Sequence, residues 1–343
     1  METNLLAGIA IAVGGGILNG SFAVFQKYKD PWKWENFWLV WSFIALLFAP
    51  LTWIAFVTSS LSELVSQLSF GMIIPPMVFG MMFGAGAVLY GLSVERIGVG
   101  LTSTVVIGLS IVIGTITPLF FSDALSVSRV LGFLVAGLFV ILLGIITSGR
   151  AGYVREKSSK EAVSVSGRRY MYGLFMAILS GIISPMINVG FAYGVRITEI
   201  AQKAGIPSQW APFVTLEVVL LGGLAVNAGY AGFLLLRNGS GKLFLSDTPK
   251  PLLIPLPLLA SIAAGLFWFG GLGFYAVATT RLGTLGTSVG YAIFMSAGII
   301  ASNALGVLSG EWKNVRKALV LQFISVGVLT AGIILVSLGL FTK

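Results

Sequence analysis

The sequence predicts an all-α polytopic membrane protein with ten transmembrane helices, built as two inverted five-helix repeats. Three observations predict it. Of 343 residues, 57% are hydrophobic and only 10% charged, with a mean hydropathy of +0.98; a soluble domain carries roughly 25% charged residues. The apolar stretches run to about 20 residues, the length a helix needs to cross roughly 30 Å of hydrocarbon. Finally, two segments of the first half recur in the second.

Apolar runs between charged or turn-rich punctuation place spans near 5–25, 37–57, 71–92, 100–121 and 130–148, then 170–194, 212–236, 252–278, 285–308 and 319–341. The first has no basic segment before it and no small-residue cleavage signal after it, so it reads as a retained helix rather than a signal peptide. Pro75 with Pro76, and Pro255 with Pro257, fall early in their spans, where proline is tolerated. Pro185 falls inside a span, just before Asn188, and predicts a break there. Three connections are long: 149–169, 195–211 and 237–251. The first is basic and Ser-rich, a linker between a first five-helix repeat (1–148) and a second (170–343).

Charge fixes a topology. Odd-numbered loops hold 16 of the 21 Lys and Arg, including Lys27, Lys29, Lys33, Arg96, Arg237, Lys242, Lys313, Arg316 and six residues of 149–169. The positive-inside rule makes those loops cytoplasmic and sets both termini outside. The net charge of +9 therefore reads as topology and contact with anionic lipid, not as nucleic-acid binding. The 44 glycines suit helices that associate in lipid through close backbone approach.

The halves resemble each other. VLYGLSVERIGVGLTST (88–104) aligns without a gap on GFYAVATTRLGTLGTSV (273–289) at an offset of 185, setting Tyr90, Arg96, Gly98, Thr102 and Ser103 on Tyr275, Arg281, Gly283, Thr287 and Ser288. LNGSFAVFQK (18–27) aligns on INVGFAYGVR (187–196), setting Asn19, Phe22 and Ala23 on Asn188, Phe191 and Ala192. An odd number of spans per half puts the halves in opposite orientations, the architecture of secondary transporters.

Several segments taken in order carry a family likeness. FQKYKDPWKWENFW (25–38) is followed by FGMMFGAGAVLYGLSVERIGVG (79–100), IGLSIVIGTITP (107–118), WFGGLGFYA (268–276) and a Gly-Glu-Trp-x-Asn motif at 310–314. Together these resemble the L-rhamnose–proton symporter family, within the drug/metabolite transporter superfamily. The resemblance implies ten helices in two inverted repeats, and proton-coupled uptake of a neutral deoxy-sugar across a bacterial plasma membrane. It is weaker over 149–169 and 195–211, and Glu217 falls on none of the family's motifs.

A neutral sugar calls for uncharged hydrogen-bonding side chains and flat aromatic faces. The spans offer Asn19, Asn188, Tyr90, Tyr275, Tyr291, Trp268 and Asn303, with Asn19 and Asn188 related by the repeat. The alternative role for these amides is glue between helices. Trp268 reads as the one mid-span tryptophan, facing either a cavity or lipid, and the others as interfacial. Glu217 is the one carboxylate well inside a predicted span, either a proton-coupling group or a residue reaching the outer interface. Glu95 and Arg96 read as a cytoplasmic end pair.

Other functions weigh less. An amino-acid or metabolite exporter and a sugar-phosphate exchanger remain alternatives, but an anion carrier needs a midplane cation, which no span offers away from its ends. A channel is disfavoured by two inverted halves in one chain. With no His, no Cys and one buried carboxylate, no metal centre, cofactor or catalytic dyad is expected. Expected partners are a small neutral sugar, protons and lipid, in a monomer or homodimer.

Overall fold

The computed structural model describes residues 4–58, 61–97, 99–121, 128–158, 167–245, 255–308 and 315–341. The motif at 310–314 and the centre of the basic linker lie outside the described residues. Those that are described are mostly helical and include no strand, and ten of the helices are long and apolar enough to cross a membrane: Leu5–Tyr28, Trp34–Val57, Phe70–Val94, Thr102–Phe120, Leu131–Arg155, Arg168–Lys203, Pro212–Asn238, Leu256–Leu285, Val289–Leu308 and Arg316–Gly339. They are called the first to the tenth span.

Several spans depart from regular helix for local reasons. The second opens into a π-turn at Ile44–Phe48 immediately before Pro50, which has no N–H to offer the preceding turn. The third starts at Phe70, so Pro75 and Pro76 sit in its second turn rather than its first. The sixth breaks where Pro185 predicts, ending one helix at Ile183 and beginning the next at Met186. It then runs beyond its expected end as an amphipathic helix, Val195–Lys203, which buries Ile197 and Ala201. The helix of the fifth span likewise continues to Ser158, into the expected linker.

The first span packs against the eighth and ninth, and the sixth against the third and fourth. The second packs against the seventh and eighth, the seventh against the second and third, and the fifth against the tenth. These principal pairings are unchanged when spans one to five are exchanged with six to ten. Small residues make the contacts close. A Cβ on Gly271 would lie 2.6 Å from the Gly15 carbonyl oxygen, and one on Gly86 2.9 Å from the Ser184 backbone nitrogen. Glycine is required at such crossings because there is little hydrophobic drive between helices in lipid. Phe56, Phe139, Phe175, Phe233 and Phe323 face outward, as suits a lipid-facing surface.

Candidate functional site

The broken sixth span and the turn between the eighth and ninth meet at one polar knot. Asn188 Nδ2 donates to the carbonyls of Gly114 (2.7 Å) and Thr287 (2.8 Å). Its Oδ1 accepts from the Tyr275 hydroxyl, which also lies 3.2 Å from the Thr287 carbonyl. Beside it, Ser288 Oγ donates to the Thr115 carbonyl at 2.5 Å. The amide thus ties three spans together where two of them leave regular helix and free their backbone carbonyls. Tyr291 meets the Tyr275 ring edge-on at 6.0 Å. With Ile187, Phe191, Leu216 and Leu272 these side chains enclose a cavity with room for about one water. Here the bundle is shut.

Aromatic rings lead away from this knot. Trp34 stacks on Trp38 (centroids 5.0 Å apart), Trp38 on Trp41 (4.3 Å), Trp41 meets Trp268 edge-on (5.3 Å), and Trp268 stacks on Phe83 (6.0 Å). The run extends from the start of the second span to the centre of the bundle. Amides line it: Asn227 Oδ1 accepts from Trp38 Nε1 at 3.0 Å, and Asn19 Nδ2 makes a long 3.4 Å bond to the Trp268 carbonyl. Trp41 therefore joins Trp268 as a deep tryptophan, 1% exposed. It escapes a sequence reading because the second span begins at Trp34 rather than 37, placing Trp41 two turns in.

Glu217 lies in the seventh span, 4% exposed, and neither carboxylate oxygen has a hydrogen-bond partner. It shares a helix face with Phe213, one turn away, whose ring packs on Trp53, Trp210 and Phe269. The indole nitrogens of Trp41 and Trp53 in the facing second span are also buried without partners. A carboxyl group buried in a span without a hydrogen-bond partner is costly to keep there, which marks it as a functional candidate.

Two candidates lie apart from both clusters. Tyr90 bonds Ser103 Oγ at 2.7 Å and packs near Ile97 and Val106. Asn303 Nδ2 reaches Ser148 Oγ at 3.1 Å, a tie between the ninth and fifth spans. Arg96 donates to the Leu92 carbonyl at 2.6 Å, while the Glu95 side chain lies outside the described residues. A second buried acid, Glu35, was legible only as part of a motif. It accepts from Asn238 (2.9 Å) and Ser240 (2.8 Å), and Asn36 donates to the Ser240 carbonyl, latching the start of the second span to the end of the seventh.

Comparison with known proteins gives one consistent result. A family model described as L-rhamnose-proton symport protein matches residues 1–342. Proteins named L-rhamnose-proton symporter from Salmonella typhimurium and Salmonella newport are 27% identical over 298 residues, covering 85% of either chain.

Proposed function

The chain belongs to the L-rhamnose-proton symport protein family, and from that premise we propose that it takes up L-rhamnose or a similar deoxy-sugar together with protons. The observation that carries this reading is the family match over essentially the whole chain, so that the ten spans, and not a fragment of them, share the family's pattern. The relatives' names speak against an amino-acid exporter or a sugar-phosphate exchanger. The protein would work in a bacterial plasma membrane, with both termini outside as the loop charges ask.

The sugar site in this reading lies between the polar knot and the aromatic run. Trp268 and Trp41 offer ring faces to the apolar side of a deoxy-sugar, and Asn19 and Asn188 offer uncharged donors and acceptors. Tyr275 and Tyr291 close over it. Tyr90 and Asn303 serve as supporting contacts at a distance. Two inverted five-helix halves, 1–148 and 170–343, would rock about this centre. The exchange symmetry of the span pairings supports that arrangement.

Glu217 is the proton carrier in this scheme. Binding a proton removes the cost of a buried charge, and releasing it requires the site to open to water or a donor. Coupling follows if only the protonated, sugar-loaded carrier and the empty, deprotonated carrier change shape readily. Uptake of labelled L-rhamnose into cells without their own rhamnose carrier tests this. Accumulation is expected to collapse with an uncoupler. Glu217→Gln, close in shape but unable to titrate, should abolish accumulation while retaining exchange of labelled for unlabelled sugar. Normal accumulation in Glu217→Gln would remove the proton role from this residue and leave the transport reading intact.

A further inference from the structure

The two ends of the bundle hold related residues in different states. At the offsets that align the halves, Tyr275 and Asn188 correspond to Tyr90 and Asn19. Tyr275 is hydrogen-bonded to Asn188, and they are 1% and 2% exposed. Tyr90 is bonded to Ser103 and Asn19 to the Trp268 carbonyl, and both are part-exposed. The difference extends to whole helices. In the most apolar stretches of the sixth and eighth spans, 50% and 56% of residues are buried, against 22% in their counterparts, the first and third, while the ninth and fourth are close at 50% and 44%.

The packing agrees with these correspondences. Gly271 meets Gly15, and their counterparts at the same offsets, Gly86 and Ser184, meet each other. Trp268 and its counterpart Phe83 stack on one another. A local two-fold relation between the halves would pass between those two rings.

Resting on the transporter reading, we propose that Asn188–Tyr275 and Asn19–Tyr90 are alternate clasps, positioning residues that close opposite ends of the sugar path in turn. The first clasp is closed in this structure. The bonds now made at the other end are the ones the open state of a clasp requires. Asn19 makes only a 3.4 Å bond to Trp268, which costs little to give up. Tyr90 rests on Ser103, whose counterpart is Ser288. Opening the Asn188 end would turn Tyr275 from Asn188 towards Ser288, close to the Thr287 carbonyl it already approaches. A closed clasp makes more hydrogen bonds than an open one, but as one clasp gives up its set the other forms the matching set. The two end states then differ by little, as a carrier that cycles needs.

Natural absence of cysteine makes the proposal directly testable. Cysteines replace Asn19 and Tyr90, and a short bifunctional thiol reagent measures how often the two positions come together in membranes. Breaking the closed clasp by Asn188→Ala, or more gently by Tyr275→Phe, is expected to raise the cross-linking rate about three- to ten-fold, the population shift that one hydrogen bond supports. A rise in either variant supports alternation. An unchanged or lower rate in whichever variants reach the membrane would overturn it. No sugar enters the assay, so it stands or falls separately from rhamnose uptake.

Discussion

At the scale of single residues, equivalent positions carry different loads. Asn188 makes three hydrogen bonds in a dry setting, whereas Asn19 makes one long one at a part-exposed site. Losing a buried partner costs about 1–3 kcal/mol, and losing a weak, wet bond far less. Thermal unfolding in detergent should therefore show Asn188→Ala markedly less stable and Asn19→Ala nearly unchanged; equal losses would contradict the assignment of the tight knot to Asn188. Trp268 tests the sugar site. Its ring meets both Trp41 and Phe83, and aromatic pairs contribute about 0.5–1.5 kcal/mol beyond burial. Trp268→Phe should retain uptake, while Trp268→Ala should raise KM about ten-fold with a smaller change in kcat, read from initial rates. An unaltered KM in Trp268→Ala would take the ring out of the site. Most of the site's residue types were legible, because amides, aromatics and a carboxylate stand out in apolar spans. Their grouping was not. Nothing in local sequence tells that Tyr275 reaches Asn188 while Tyr90 stays with Ser103, since that choice belongs to the state of the whole carrier.

At the scale of elements, the spans were legible because each needs about 20 apolar residues and the loops between them carry the charge. What escaped is helix that is not wholly apolar. Val195–Lys203 carries Arg196, Glu199 and Lys203 and so resembles a loop by hydropathy, although Ile197 and Ala201 at i, i+4 mark its buried face. The extension to Ser158 is polar as well as helical, and composition alone gives no sign of it. Helix contacts make a sharper prediction. A Cβ on Gly80 would run into the Val219 carbonyl of the seventh span, and one on Gly222 into the Met77 carbonyl of the third. Backbone cannot yield as a flexible side chain does, so Gly80→Ala should cost more than about 2 kcal/mol. Gly229→Ala, on the same seventh helix but facing open space, should leave stability unchanged. Equal melting temperatures for the two variants in detergent would contradict the close third–seventh crossing.

At the scale of the molecule, the chain combines lipid-facing phenylalanines, glycine crossings, a dry polar knot at one end and a part-exposed counterpart at the other. That asymmetry within exchangeable pairings is what a carrier caught with one end shut would present. The packing of Gly15 on Gly271 and of Gly86 on Ser184 falls on the repeat offsets read from the sequence. Sugar and proton move together in a symporter, and proton movement itself tests that most directly. Purified protein in liposomes enclosing a pH-sensitive dye is given an inward L-rhamnose gradient with no pH gradient and with the membrane potential clamped. Sugar entry should acidify the lumen in proportion to the rhamnose taken up, and Glu217→Gln should abolish the acidification. Rhamnose entry without any acidification by the unaltered protein would contradict proton symport.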